Sequence, residues 1–323
     1  MQQKKKEKNE CKTAKSYPID QCSLYKVGSA KRLAAVLGIE LDKLKKLLLS
    51  DFNYKVFDIA GSVDPFSGKI FKTRHVQEPK DDLRAVHSRI LRLLQNVSIP
   101  PYVHGAIKGR SYQTNAAAHV KGKQAATFDI HNFYGSTKSN LVHDLFHDVL
   151  ACPSDVAGKL ARLVTYKGMM PTGSPLSPLL SYWVAKPMFD EYACLARQYG
   201  LEFTCYIDDL TFSGDRIPRD LRYRVGIIAR RYGYRISKKK TRLFVQGKVK
   251  HITGVAVAES GLMVPFSRLK AARKIMGAIE GSGESHGLSS EKLRQKLAGL
   301  IGEAATIEQR FGKWARKART ACS

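Results

Sequence analysis

Apolar positions recur with helical period through residues 29–49 and break once, at Gly38, which predicts two helices joined by a turn. Residues 54–57 and 70–76 read instead as strands around the turn Asp64-Pro-Phe-Ser-Gly68, and together predict a small hairpin. Residues 82–94 are an amphipathic helix, ended by Ile99-Pro-Pro101. Residues 124–130 form a short strand that ends near Asp129. After Asn132-Phe-Tyr-Gly135 a helix is predicted to run to Leu150, capped by Ser136 or Thr137. The Gly/Pro-rich loop Met170-Pro-Thr-Gly-Ser-Pro-Leu-Ser-Pro178 gives way to a helical stretch over 179–199. Two short runs of β-branched and aromatic residues then flank Asp208 and Asp209, which reads as a hairpin with acids at its tip. Residues 267–279 and 290–318 are again helix-periodic, and no internal repeat occurs.

Composition narrows what such a chain can do. Its 323 residues suffice for two or three lobes with sizeable cores, and 55 Lys and Arg against 28 Asp and Glu give a net charge of +27. The excess runs along the whole chain rather than in one tail, so a polyanion is the natural partner. No apolar run approaches the ~20 residues of a membrane span. The N-terminus lacks the apolar core of a secretory signal, reads as a disordered basic lead, and points to a cytoplasmic protein without a membrane partner. The six cysteines form no Cys-x-x-Cys pair and no zinc-spaced cluster, and are expected to be reduced thiols. His143 and His147 have the i, i+4 spacing of metal ligands but no third ligand beside them.

The acids carry the chemistry. Neighbouring side chains of a strand point to opposite faces, so Asp208 and Asp209 can serve one site only where the backbone turns. Held that close, they raise each other's pKa unless a cation is bound beside them. Asp129, at a strand end before a loop, is a third candidate. The loop at 170–178 brings backbone N–H groups and small hydroxyls to a helix start, an arrangement suited to phosphates or a nucleobase. Lys69, Lys72, Arg74 and His75 crowd one strand of the first hairpin.

The order of these features resembles that of a reverse transcriptase: strand-Asp129, the Pro-Thr-Gly-Ser-Pro-Leu-Ser-Pro loop with its helix, the Tyr-Ile-Asp-Asp hairpin, then Gly233-Tyr-Arg-Ile-Ser-Lys-Lys-Lys240. The resemblance covers residues 55–268. Asn115-Ala-Ala-Ala-His119 is similar to the Asn-Ala-x-x-His element of bacterial retron enzymes, and Ile252-Thr-Gly254 to their Val-Thr-Gly triplet. The chain length fits that branch, with nothing left after a thumb for a maturase region or an RNase H domain.

The resemblance implies an α+β fold, the right-hand polymerase with fingers, antiparallel-sheet palm and helical thumb. The expected division is a basic, partly disordered lead over 1–28, fingers over 29–119, palm over 120–254 and basic thumb over 255–323. It implies that Asp129, Asp208 and Asp209, with the carbonyl of Ile130, hold two Mg²⁺ ions for nucleotidyl transfer from dNTPs. Tyr134 falls where the family places an aromatic ring that excludes a ribose 2′-OH. Lys72 and Arg74 match the finger cations that grip the triphosphate, and Gly173 a close backbone approach at the nucleotide. Thr172 departs from the Gln that many members carry there. One of Lys238, Lys239 and Lys240 approaches the leaving phosphates. RNA-binding positions implied are Asn115, His119, Arg268, Lys270, Arg273, Lys274 and Arg316. The implied activity is copying of a cognate structured noncoding RNA, primed from an internal 2′-OH. The product is branched RNA-linked single-stranded DNA, used with a separate effector protein in antiphage defence. Another bacterial reverse transcriptase lineage, or an inactive RNA-binding scaffold, are the alternatives.

Overall fold

The structure, a computed structural model, describes residues 16–320. Cys11, Cys322 and the first fifteen residues of the expected basic lead lie outside the described residues. Residues 17–27 are not a loose lead. Tyr17 bridges to Val97 and its hydroxyl donates to the Leu93 carbonyl at 3.0 Å, while Cys22, Leu24 and Val27 sit in the main core.

Helices α1 (Ala30–Leu37) and α2 (Leu41–Leu49) meet at Gly38, whose φ of 72° lets its N–H close on the carbonyls of Ala34 and Ala35. The hairpin that follows has two storeys. Strands β1 (Tyr54–Ile59), β2 (Ser62–Val63), β3 (Ile70–Phe71) and β4 (Arg74–Pro79) pair as β1 with β4 and β2 with β3, so the Asp64 turn stands at the tip of a long arm. Helix α3 (Asp81–Leu94) buries Leu83, Val86, His87, Ile90, Leu93 and Leu94 beneath this arm. The short α4 (Tyr112–Ala117) opens with a capping box between Ser111 and Thr114.

The central sheet begins with β5 (Gln124–Asp129). The single helix expected to Leu150 is broken into α5 (Phe133–Ser136), α6 (Ser139–Asp144) and a π-helical turn over Leu145–Val149. Neither Ser136 nor Thr137 caps α6. Thr137 is buried, its hydroxyl bonded to the Phe133 carbonyl and the Tyr234 hydroxyl, and Lys138 takes the cap position. Helices α7 (Ser154–Val164) and α8 (Ser177–Gln198) follow, then β6 (Glu202–Tyr206), β7 (Asp209–Gly214), α9 (Leu221–Arg231) and β8 (Arg242–Phe244). The four strands form an antiparallel sheet in the order β6-β7-β5-β8. A wedge of rings backs it: Phe203 lies 4.8 Å from Phe212, Phe128 lies 5.8 Å from Phe212, and Tyr192 of α8 packs on both Phe203 and Phe212.

Strands β9 (Lys250–Ile252), β10 (Val255–Ala258) and β11 (Gly261–Met263) form a separate sheet resting on α4 through Ala116, Ile252, Val255 and Val257. The boundary expected after Gly254 therefore falls inside the β9–β10 turn. The last lobe comprises α10 (Phe266–Ile279), α11 (Ser290–Ile307) and α12 (Gly312–Thr320). Phe66 from the arm's tip is buried in that lobe's core with Ala271, Ile275, Leu293 and Leu297. The architecture is α+β. Among the described residues no helix is long and apolar enough to cross a membrane.

Candidate active site

The β6–β7 hairpin closes through a two-residue turn, with Tyr206 opposite Asp209 and Ile207-Asp208 between them. Ile207 has φ 60°, a left-handed conformation that costs a β-branched residue about 1–3 kcal/mol. The backbone of Gly105 lies against it; a Cβ on Gly105 would stand 2.5 Å from the Ile207 nitrogen. This sharp corner moves Asp208 out of strand alternation. Asp209 sits directly opposite Asp129 in the β5–β7 ladder, and the Ile130 N–H donates to the Asp208 carbonyl at 2.9 Å. Three carboxylates from two strand ends and one turn thus meet at one edge of the sheet.

Their electrostatics record the crowding. Burial, then the charges of Asp208 and Asp129, push the Asp209 carboxyl up to about 7. Burial and then Asp129 raise Asp208. Lys240 supplies the opposing charge, its ammonium 2.6 Å from Asp129 Oδ2, and that hydrogen bond raises the pKa of Lys240 in turn. Of the three candidate lysines, the structure places Lys240 at the acids. Asp129, Asp209 and Lys240 line a cavity of about 460 Å³ with Tyr206, Arg242, His251, Thr253 and Gly254.

The donor set suits a hard cation: carboxylate oxygens that repel one another until a positive charge arrives. Among the described residues no group of three or more His, Cys, Asp or Glu side chains is arranged to hold a metal ion. Mg²⁺ does not need one, since it takes one or two carboxylates and completes its shell with water and substrate phosphates.

A second cavity, of about 740 Å³, opens toward the finger arm and is lined by Arg74, His75, Gln77, Asn132, Tyr134 and Thr172, among others. The Tyr134 ring packs against Phe133 at 5.9 Å, and burial, then the charge of Asp208, raise its hydroxyl pKa. Arg74 and Lys72 are exposed, Lys72 on the link between β3 and β4. Gly173 is required, but by the protein itself. Its N–H donates to the Gln77 carbonyl at 3.1 Å, and a Cβ would lie 2.7 Å from that oxygen. The close approach expected at the nucleotide is here made to β4. Thr172 is explained the same way: its hydroxyl donates to the His75 carbonyl at 2.9 Å, and its N–H to Gln77 Oε1 at 3.2 Å.

Residues 69–257 match the family of reverse transcriptases (RNA-dependent DNA polymerases). The chain belongs to that family. It is 32% identical over 196 residues to Retron Se72 reverse transcriptase of Salmonella heidelberg, covering 59% of this chain and 49% of the relative. It is 31% identical over 249 residues to Retron Mx65 reverse transcriptase of Myxococcus xanthus, covering 70% and 57%, and 25% identical over 239 residues to Retron Ec86 reverse transcriptase of Escherichia coli, covering 73% of each. The chain thus spans about half the length of the first two relatives. The resemblance to retron enzymes read from the sequence is borne out.

Two residues expected at an RNA surface are not there. Asn115 and His119 are fully buried. His119 bridges the central hairpin, with one ring nitrogen 2.7 Å from Thr204 Oγ1 and the other 2.7 Å from Ser213 Oγ. Asn115, Ala116 and His119 turn inward while Ala117 is exposed. Arg268 is also largely engaged, paired with Glu303 at 3.0 Å. Lys270, Arg273, Lys274 and Arg316 are exposed. What the sequence did not single out is the cavity wall of His251, Thr253 and Gly254, visible beforehand only as a triplet resembling a family mark.

Proposed function

We propose that the chain is a retron-type RNA-directed DNA polymerase, which copies a cognate structured RNA into DNA from dNTPs. The observation that carries this reading is the meeting of Asp129, Asp208 and Asp209 at a strained turn beside Lys240. Asp129, Asp208 and Asp209, with the Ile130 carbonyl, would hold two Mg²⁺ ions, which when bound neutralise phosphate charge and lower the pKa of the attacking hydroxyl. Lys240 steadies the Asp129 carboxylate and keeps a positive charge where the leaving phosphates would pass. Arg74 and Lys72 grip the triphosphate, and Tyr134 closes the floor of the nucleotide cavity to a ribose 2′-OH. Lys270, Arg273, Lys274 and Arg316 meet the nucleic-acid backbone, a contact that weakens with salt.

In this reading the fingers run to residue 119, with their core reaching back to Tyr17, the palm to 254, and the thumb follows. Similarity to retron enzymes supports priming from an internal 2′-OH, a branched RNA-linked DNA product, a separate effector, a cytoplasmic location and a role against phage. The test is incorporation of labelled dNTPs on a primed RNA template with Mg²⁺, beside Asp208→Asn. Parental activity lost in the variant, with RNA binding kept, supports the assignment. An active Asp208→Asn removes the site. A parent that binds RNA tightly but stays inactive, even with the RNA encoded beside its own gene, makes the chain a scaffold.

A further inference from the structure

Thr172, Gly173 and Ser174, three consecutive residues of the loop before α8, are each fastened to a finger element. The Thr172 hydroxyl donates to the His75 carbonyl at 2.9 Å and its N–H to Gln77 Oε1 at 3.2 Å, while the Gly173 N–H donates to the Gln77 carbonyl at 3.1 Å. The Ser174 hydroxyl lies 2.6 Å from Nδ1 of His87 on α3. The other ring nitrogen of His87 lies 2.9 Å from the Leu163 carbonyl, which can only accept, so Nε2 carries the proton and Nδ1 accepts from Ser174. The loop is also curled onto itself, the Ser177 hydroxyl donating to the Pro171 carbonyl at 2.6 Å.

The fastening falls on the edge of β4 that β1 leaves open. These two strands pair only with each other, and a two-stranded ribbon is marginal by itself. Carbonyls two residues apart on a strand point to one edge, and those of His75 and Gln77 both receive the loop. Across the ribbon the His75 ring pairs with Asp58 of β1. Strand β4 is therefore held along both edges where it carries Arg74 and His75 into the cavity of about 740 Å³. No side chain fits between loop and strand, since a Cβ on Gly173 would stand 2.8 Å from Val76 Cγ1. Thr172 stands where many reverse transcriptases carry Gln. Here its hydroxyl is directed at β4, and the amide side chain at the joint is that of Gln77.

We propose that Thr172 is a positioning residue for Arg74. With Gln77 it makes the root of the finger arm one body with the loop before α8, so Arg74 stands at the triphosphate site before a nucleotide arrives rather than swinging in afterwards. The inference rests on the polymerase reading, in which Arg74 grips the triphosphate. A loose arm presents Arg74 for only a fraction of the time, and the apparent nucleotide affinity falls by that fraction while the step that follows binding is unchanged.

The test measures kcat, dNTP KM and Tm on a primed RNA template for Thr172→Val, Thr172→Ser, Arg74→Ala and the double variant Thr172→Val, Arg74→Ala. Val keeps the branched shape without the hydroxyl, and should raise dNTP KM roughly 10-fold with kcat and Tm near the parental values. Ser restores the hydroxyl and with it KM. In the Arg74→Ala background the Val substitution should change KM by less than about twofold, because the residue it positions is gone. A full KM effect in that background means that Thr172 acts without Arg74, and overturns the proposal. So does a parental KM in Thr172→Val, or a loss of Tm and kcat together with the change in KM, which marks a merely structural contact. Arg74→Ala at the parental KM removes Arg74 from the triphosphate and the proposal with it. An inactive parent overturns the polymerase reading itself and the positioning that rests on it.

Discussion

Lys240 places its ammonium 2.6 Å from Asp129 Oδ2, and so supplies the protein's own counter-charge to three crowded carboxylates. Its side chain is 66% exposed while that of Asp129 is 8% exposed, so the lysine can leave and the acid cannot. Lys240→Ala should therefore lower Tm in EDTA at neutral pH. Added Mg²⁺ should then raise Tm by more than it does in the parent, because the cation meets unrelieved repulsion. Thermal melts with and without Mg²⁺ measure this. An unchanged Mg²⁺ response in the variant would detach Lys240 from the acids.

Tyr134 packs on Phe133, which in turn packs on Phe189 and Tyr234, so the ring has little freedom to swing away from the cavity it lines. Tyr134→Ala should admit ribonucleotides, cutting the preference for dNTPs over NTPs roughly 10- to 100-fold while removing one side chain from a partly open cavity. The ratio of kcat/KM for the two sugars reads this directly. Unchanged selectivity would assign the ring to packing alone.

What the sequence made legible was local. Gly38, the Asp-Asp turn and the strand before Asp129 each carry a short-range signal, turn chemistry or period, and each forms where that signal puts it. The misses are tertiary. Tyr17 to Val27 joins the core although its neighbours are basic, because burial depends on the apolar positions and not on the mean charge of the segment. The resemblance implies RNA contact for Asn115 and His119, whereas the fold buries both side chains together with Ala116. Nothing local distinguishes Lys240 from Lys238 and Lys239; the Ser237–Asp129 backbone pairing sets which one reaches the acids.

The fold should be acid-sensitive well above the range where carboxylates titrate. Burial holds the pKa of His87 down to about 4, and burial, then His104 and Lys250, hold His119 down to about 3, against an ordinary value near 6.5. Both pKa values are depressed on folding. Their contribution is intact above the unfolded value and is lost as pH falls from about 6.5 toward 4, where unfolded chains take up protons that the native state refuses. The loss at pH 4 is on the order of 3 kcal/mol for each histidine. Urea midpoints between pH 7.5 and 4 measure it. A flat profile would mean that both rings accept protons in place.

Phe66 is the far end of the finger arm, yet it is 2% exposed, because the thumb encloses it. Its ring meets His286 edge-on at 5.1 Å, and Lys296 lies over it at 5.2 Å while pairing with Asp64. Although burial opposes it, Lys296 and Ser67 hold the Asp64 carboxyl down to about 2, so the pair stays charged throughout the working range. The arm's tip thus joins the fingers directly to the thumb. Phe66→Ala removes about 3–5 kcal/mol of packing, and that loss falls on the cluster that joins the arm's tip to the last lobe. The expected outcome is a loosened contact with both lobes folded: a longer and broader finger-to-thumb distance by pulsed EPR between labels on the two lobes, and little change in circular dichroism. Lys296→Ala should act in the same direction but less, since it leaves the ring in its socket. An unaltered distance distribution in Phe66→Ala would show that other contacts hold the lobes together.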